Sequence, residues 1–384
     1  MHDYESRVTF MNAKPRPAPR YAFRRDLLVA TALGVMLIAV GYAGYRAHLV
    51  GTACERTGAT SAKARAAAKT PKVLATIYSR AQMSADRKAS GEGQPVVART
   101  PMGADGYYIP PSEADIPDGP YGDAIRRGSN IFTRTGLHVK DHVGNQLSCD
   151  NCHLDAGRRA NAAPMWAAYG AYPAFRATTG SVSTLEDRIA ACFTYSMNAP
   201  GSVSGKAPAP GSQVYRDLVT YMAWLANGAP AGERLRGAGY PRISKPSDGY
   251  DLNRGRVVFR QNCAQCHGVD GQGSRDGQGH TTFPPLWGRG SYNWGAGMAQ
   301  VDMAAAFIKA NMPFGRPGSL TDQQAWDVAA YIDSHERPKD PRQNGTVAQA
   351  ARKDHAGEDS FYGTTLRGHL LGIGVGAGGA VEPG

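Results

Sequence analysis

The chain has 384 residues, of which 42% are hydrophobic and 20% are charged. It is therefore long enough for two folded domains and further segments. The net charge is +11, and residues 1–70 alone hold eleven Lys and Arg against four Asp and Glu. We assign this excess of positive charge to a basic membrane flank and a linker. It therefore does not indicate a nucleic-acid-binding surface.

Residues 1–50 indicate a cytoplasmic basic flank followed by a membrane anchor. Residues 27–45 carry no charge, and a helix of that length, at about 1.5 Å per residue, just spans a bilayer core. Basic flanks stay in the cytoplasm, so the rest of the chain is expected on the periplasmic side of the cytoplasmic membrane. A cleaved signal peptide is the alternative, because residues 43–47 weakly resemble a cleavage site. The flanking basic residues are Lys14, Arg16, Arg20, Arg24 and Arg25.

Two C-x-x-C-H motifs dominate the rest of the chain. The motif attaches a c-type haem through its two thiols, and its histidine becomes an axial iron ligand. A pair of zinc or disulfide knuckles is the alternative, but a histidine directly follows each cysteine pair. The sequence therefore predicts two covalently bound haem c groups, here called haem 1 and haem 2. Their attachment residues are Cys149, Cys152 and His153 for haem 1, and Cys263, Cys266 and His267 for haem 2.

The pattern R-G-x-x-[IV]-F precedes both motifs, at residues 127–132 and 254–259. It predicts the N-terminal helix of a cytochrome c unit, packed on a terminal helix at residues 214–225 or 326–332. We therefore expect a mainly α protein with two cytochrome c-like haem domains in tandem behind an N-terminal transmembrane helix. The predicted segments after residue 50 are a linker at 51–105, haem domains at 106–240 and 248–338, and a disordered tail at 339–384.

For haem 2, the best candidate for the second axial ligand is Met312. It lies 45 residues after His267 and just before the last helix of the domain, where small cytochromes place a methionine loop. A thioether ligand raises the haem potential and suits an electron-exit haem. Met303 and Lys309 are weaker alternatives. The segment beginning at Pro284 is expected to hold the histidine through a backbone carbonyl.

For haem 1, residue spacing leaves two candidates open. Met197 lies 44 residues after His153 and mirrors Met312, which would give an ordinary electron carrier. Cys192 lies on a predicted helix that begins with a capping box and shares a face with Arg188 and Ser196. An arginine one turn away would favour the cysteine thiolate. Distal ligation by His138 or His142 is also conceivable, although loop histidines of this kind are usually exposed.

The chain resembles the dihaem thiosulfate dehydrogenases that form tetrathionate. The resemblance covers about residues 106–338 and includes the helix that carries Cys192. It implies His153/Cys192 ligation of an active-site haem and His267/Met312 ligation of an electron-transfer haem. The matching segments are residues 144–154, 184–193, 196–198, 285–288, 295–298, 307–313 and 325–331.

The resemblance also implies that Arg188 and Ser196 bind substrate. The expected activity is oxidation of thiosulfate to tetrathionate, with a cytochrome c or a terminal oxidase as electron acceptor. Two positions depart from the family. Ala199 replaces a glycine that is usual in the family, and the basic residue expected near Thr178 is absent. Arg176 either substitutes for this missing basic residue or covers the edge of the haem.

Three other functions compete with this one. The same fold could act in reverse as a tetrathionate reductase, although Met312 on the exit haem favours oxidation. Ligation by Met197 would give a membrane-tethered electron-transfer cytochrome without enzymatic activity. A cytochrome that conjugates thiosulfate to a carrier protein would also use a cysteine-ligated haem.

Overall fold

The structure is a computed structural model that describes residues 100–176, 180–230, 232–277, 281–357 and 359–375. The predicted anchor at 27–45 and nearly all of the predicted linker, including the linker cysteine Cys54, lie outside these ranges. Within the described ranges, no helix combines the length and apolarity needed to cross a membrane.

The haem 1 half, which is the described part of residues 106–240, is built from helices, with one short antiparallel hairpin. Its helices are α1 (Pro120–Thr133), α2 (Thr135–His138), α3 (Met165–Gly170), α4 (Leu185–Tyr195) and α5 (Gln213–Leu225). Strands β1 (Ala174–Arg176) and β2 (Ser181–Ser183) pair with Ala174 opposite Ser183. Single 3₁₀ turns cover Glu113–Asp115, Lys140–His142, Cys149–Asn151 and Ala199–Gly201.

The haem 2 half repeats this plan with fewer insertions. Its helices are α6 (Leu252–Asn262), α7 (Ala264–His267), α8 (Val301–Asn311) and α9 (Asp322–Asp333). Strands β3 (Ser274–Arg275) and β4 (Thr281–Phe283) form an antiparallel pair with an irregular register, and Gly297–Ala299 is a 3₁₀ turn.

The R-G-x-x-[IV]-F helices pack on the terminal helices as the sequence predicts, α1 on α5 and α6 on α9. Glycine is required at both crossings, because a Cβ on Gly128 would lie 2.2 Å from the Asp217 carbonyl oxygen. The arginine before each glycine clamps the crossing. Arg127 donates two hydrogen bonds of 2.9 Å to the Asp217 carboxylate. Arg254 binds Asp327 in the same way, at 2.7 and 2.9 Å.

A loop of the haem 2 half, residues 287–298, lies against the haem 1 half; we call it the docking segment. The backbone N–H of Gln146 donates to the Gly290 carbonyl oxygen at 3.0 Å. The backbone N–H of Asn293 donates to the Tyr195 carbonyl oxygen at 3.2 Å. A Cβ on Gly295 would lie 2.4 Å from the Tyr195 ring. The two halves therefore share a tightly packed interface at the end of α4.

The prediction that residues 339–384 form a disordered tail is wrong for the part that the structure describes, 339–357 and 359–375. Helix α10 (Val347–Asp354) begins with a capping box between Thr346 and Gln349. Strands β5 (Thr365–Leu366) and β6 (His369–Leu370) form a hairpin.

The segment folds because apolar side chains are buried and charged side chains pair with one another. The average composition of the segment does not reveal these contacts. Phe361, Tyr362 and Leu371 are buried in the core. Asp340 is also buried, and its carboxylate lies 2.7 Å from both His355 Nε2 and an Arg342 nitrogen. These contacts fold the segment onto the haem 2 half. Residues 376–384 lie outside the described ranges.

Candidate active site and electron-transfer site

A cavity of about 330 Å³ marks the haem 2 site. Both attachment cysteines, His267 and Met312 line it together with an apolar wall that includes Phe283, Phe307 and Ile332. The attachment motif and Met312, which lie far apart in the sequence, thus meet around one cavity. The cavity suits a flat apolar haem that is held by two thiols. Residues of the haem 1 motif line the same cavity, namely Asp150, Asn151 and Cys152.

The His267 ring is oriented for iron binding. Its Nδ1 lies 2.8 Å from the Pro284 carbonyl oxygen, in agreement with the predicted buttress. A hydrogen bond from Nδ1 leaves Nε2 free to bind a metal. Burial lowers the pKa of His267, and the Pro284 hydrogen bond opposes that effect. The ring is therefore held neutral, the form that coordinates iron.

Among the candidates for the second haem 2 ligand, Met312 is the one that lines the cavity. Met303 is 39% exposed. The Lys309 ammonium donates to the Leu320 carbonyl oxygen at 2.6 Å and lies 3.0 Å from the Asp322 carboxylate. Lys309 is therefore already paired, and the geometry favours Met312.

The haem 1 histidine has a matching environment. His153 Nδ1 lies 2.7 Å from the Ala163 carbonyl oxygen. Burial lowers the pKa of His153 to about 4, partly offset by that hydrogen bond. Burial also raises the pKa of Cys149 and Cys152 to about 12, and the nearby Cys192 acts in the same direction. The Cys192 thiol is therefore near enough to interact electrostatically with both haem 1 attachment thiols.

Helix α4 positions Cys192 beside Arg188. The sequence predicts a capping box between Ser183 and Glu186; in the structure the box lies one residue later, where Thr184 and Asp187 satisfy each other's backbone N–H groups. Arg188 Nη1 lies 3.2 Å from Cys192 Sγ, one turn along the helix. The negative form of Cys192 is the main cause that raises the Arg188 pKa. The competing Met197 is 4% exposed within the apolar core.

Ser196 follows Cys192 on the same face and ends helix α4. Its backbone N–H donates to the Cys192 carbonyl oxygen at 2.8 Å, and its own carbonyl oxygen accepts from Asn145 Nδ2 at 2.6 Å. The two loop histidines lie elsewhere: His138 is exposed, and His142 Nδ1 bonds Ser204 and the Lys206 carbonyl oxygen. The structure thus gives neither histidine a place in the haem 1 site.

Two tyrosines that the sequence did not single out face Arg188. Tyr172 and Tyr240 both raise the Arg188 pKa, although less than Cys192 does. The Tyr172 hydroxyl accepts a 3.0 Å hydrogen bond from Arg176, which joins Arg176 to the Arg188 environment. The Tyr240 ring lies 5.5 Å from that of Phe307, a wall residue of the haem 2 cavity. No local sequence signal marks either tyrosine, since their neighbours come from distant segments. Thr178 lies outside the described residues.

Two attachment motifs, each in its own helix-pair domain, define a dihaem c-type cytochrome. Residues 137–231 match the family model "SoxA/TsdA, cytochrome c domain". Residues 251–332 match the model "Cytochrome C oxidase, cbb3-type, subunit III". The tandem pair of cytochrome c domains predicted from the sequence is confirmed, and both domains carry covalently bound haem c.

The relatives of the whole chain are more specific. The thiosulfate dehydrogenase of Thiomonas intermedia is 46% identical over 271 residues, which are 71% of this chain and 84% of that protein. That of Stutzerimonas stutzeri is 43% identical over 305 residues, 79% of this chain and 97% of the other. The chain belongs to the thiosulfate dehydrogenase family.

A solved structure supports the same relationship. The thiosulfate dehydrogenase TsdBA from Marichromatium purpuratum in its "as isolated" form matches with a TM-score of 0.69 and 49% identity. The match covers 71% of this chain but only 59% of that longer chain.

Proposed function

We propose that this protein oxidises two thiosulfate ions to tetrathionate at haem 1 and passes the electrons out through haem 2. Haem 1 is ligated by His153 and Cys192 in this proposal, and haem 2 by His267 and Met312. The observation that carries it is the 3.2 Å contact between Arg188 and Cys192, beside the haem 1 attachment thiols in a member of this family. An ordinary electron carrier has no need for a cation paired with a cysteine.

Charge is the first requirement of the reaction. Two thiosulfate dianions repel each other, so fixed positive charge at the site must offset the repulsion. Arg188 supplies it next to the reacting sulfur. Arg176 donates a hydrogen bond to Tyr172, which in turn lies near Arg188. Arg176 can therefore substitute for the basic residue that is missing near Thr178. The Ser196 hydroxyl can donate a hydrogen bond to a sulfonate oxygen.

The covalent chemistry then belongs to Cys192. Its thiolate bonds the outer sulfur of one thiosulfate, which gives a cysteine–thiosulfonate adduct and releases two electrons. The outer sulfur of the second thiosulfate attacks the adduct sulfur next to the sulfonate. The Cys192–sulfur bond breaks, tetrathionate leaves and the thiolate is regenerated. Bound haem c supplies one-electron acceptance, so two haems match the two electrons.

The shared wall between the two haem sites supports electron transfer within the molecule. Asp150, Asn151 and Cys152 belong to the haem 1 motif yet line the haem 2 cavity. The two haem sites thus share wall residues, which supports direct electron transfer between them. Met312 would keep the haem 2 potential high, which favours oxidation over tetrathionate reduction. A cytochrome c or a terminal oxidase would accept the electrons.

The activity is tested with purified dihaem protein, thiosulfate and ferricyanide. We expect two ferricyanide ions to be reduced for each tetrathionate formed. Failure to reduce ferricyanide would count against the proposal. Rapid tetrathionate reduction by a low-potential dye, without thiosulfate oxidation, would instead support the reverse enzyme.

Replacing Arg188 by alanine should weaken the use of thiosulfate without loss of either haem. The cation holds an anion and does not bond iron, so the low-spin thiolate signal should remain. We expect kcat/KM to fall about 100- to 1,000-fold, the range typical for loss of one charge-stabilising donor. Steady-state ferricyanide kinetics measure this. Arg127→Ala, which removes an arginine at the α1–α5 crossing, is the control and should keep near-normal kcat/KM.

We also propose that residues 27–45 hold the protein on the periplasmic side of the cytoplasmic membrane. The uncharged run and its basic flank support this assignment. Membranes from cells that express the full chain should retain the haem stain after a carbonate wash. If the mature protein is found to begin after residue 47, the segment is a cleaved signal peptide and the anchor proposal is wrong.

A further inference from the structure

Asn293 of the docking segment is fully buried, with 0% of its surface exposed. Its side-chain Nδ2 donates to the Thr194 carbonyl oxygen at 2.9 Å and to Asn198 Oδ1 at 3.1 Å. Its backbone N–H donates to the Tyr195 carbonyl oxygen at 3.2 Å. One residue of the haem 2 half thus makes three hydrogen bonds to the haem 1 half.

Two of the acceptors, the Thr194 and Tyr195 carbonyl oxygens, lie in the last turn of α4, where carbonyl groups have no partner within the helix. The third is the side chain of Asn198, three residues after the helix ends. Cys192 is in that last turn. Its carbonyl oxygen accepts from the N–H groups of Ser196 and Met197, at 2.8 and 2.9 Å. Asn198 follows in the left-handed region, with φ of 48°, and its side chain is held by Asn293. The backbone on the C-terminal side of Cys192 is therefore fixed from the haem 2 half.

The docking segment is itself held on its far side. Its Gly288 and Trp294 amides donate to the carbonyl oxygens of Glu336 and Pro338, at 2.9 and 3.1 Å. Arg342, from the C-terminal segment, lies over the Tyr195 ring at 5.2 Å. The same docking segment contributes Tyr292 and Met298 to the wall of the haem 2 cavity. One rigid loop thus touches both the end of the cysteine helix and the electron-exit site.

We propose that Asn293 is a positioning residue, which holds helix α4 so that the Cys192 sulfur stays in place for both iron binding and attack on thiosulfate. This inference rests on the function proposed above. It makes the haem 1 site depend on docking by the haem 2 half. A small displacement of a reacting group costs far more in rate than in binding, so kcat is the sensitive quantity.

The test compares the dihaem proteins carrying Asn293→Ala and Asn198→Gly with wild type. Glycine suits the left-handed backbone at position 198, so that variant removes one hydrogen bond without backbone strain. We expect the low-spin thiolate EPR signal of haem 1 to shift or split in both variants. For Asn293→Ala, kcat should fall about 10- to 100-fold, with KM changed less than about twofold.

Asp327→Asn is the matched control, because Asp327 is a 1% exposed carboxylate of the haem 2 half that pairs with Arg254 and does not touch α4. It should lower thermal stability and leave the haem 1 signal and kcat unchanged. Wild-type EPR signals and kcat in Asn198→Gly and in any folded Asn293→Ala protein would overturn the inference. A wild-type protein without thiosulfate turnover would instead refute the proposed function, so the two failures can be told apart.

Discussion

Cys192→Ala is expected to retain both covalent haems and the fold but to lose essentially all thiosulfate oxidation. The attachment thiols and both histidines are untouched, and removal of one small sulfur should cost roughly 1 kcal/mol or less if the space closes. If Cys192 is both iron ligand and sulfur nucleophile, as proposed, a methyl group cannot replace it. We expect kcat to fall at least about 1,000-fold, as for other removed nucleophiles. Haem stain, thermal melting and ferricyanide kinetics measure the three quantities.

Met197→Leu is the matched control for this experiment. Met197 lies five residues further along and is buried in the core, so a leucine of similar volume should be tolerated. It should keep the haem 1 spectrum and the activity. The opposite pattern, in which Met197→Leu abolishes the haem 1 low-spin signal and Cys192→Ala leaves it unchanged, would identify an ordinary electron carrier.

Met312→Gly should lower the potential of haem 2 and slow electron exit. In the proposed ligation the Met312 thioether raises the potential, so its loss should lower it. Because axial ligands move haem potentials over a range of about 0.8 V, a decrease on the order of 0.1 V or more is expected. Potentiometric titration monitored in the visible spectrum measures it, and the signal of the cysteine-ligated haem should not change.

Met303→Leu, on the helix α8 that precedes Met312, provides the comparison. Met303 is 39% exposed, so its replacement should leave both potentials unchanged. If the haem 2 potential is unaffected in Met312→Gly, the ligand must be another residue, and Met303 or Lys309 would be the next to test.

Several features of the site could be predicted because short local patterns encode them. The two attachment motifs define the cofactor, since covalent haem needs two thiols and a histidine in one turn. The capping-box pattern at Ser183–Glu186 predicts the start of α4 to within one residue, and helical spacing then places Arg188 beside Cys192. The R-G-x-x-[IV]-F repeat predicts the helix crossings because the glycine permits close approach. Each of these signals lies within about ten residues of sequence.

The remaining features depend on contacts between distant segments. Asn293 contacts the end of α4 only because the haem 2 half folds against the haem 1 half. Tyr240 lies near Arg188 only because the end of the haem 1 domain folds back towards α4. The sequence around either residue has no pattern that specifies such a partner. The prediction for the C-terminal segment is wrong for the same reason: the buried Asp340 carboxylate is stabilised by both His355 and Arg342. A polar, glycine-rich composition does not distinguish such a pair from a solvated tail.

The most direct test of the account is a low-temperature EPR spectrum of the oxidised dihaem protein. The account predicts two distinct low-spin haem signals, one with the narrow g-spread of histidine–thiolate ligation and one typical of histidine–methionine ligation. The thiolate signal should disappear in Cys192→Ala and persist in Met197→Leu. Two histidine–methionine signals in the wild-type protein, with no thiolate component, would contradict the assignment of Cys192 and with it the proposed reaction.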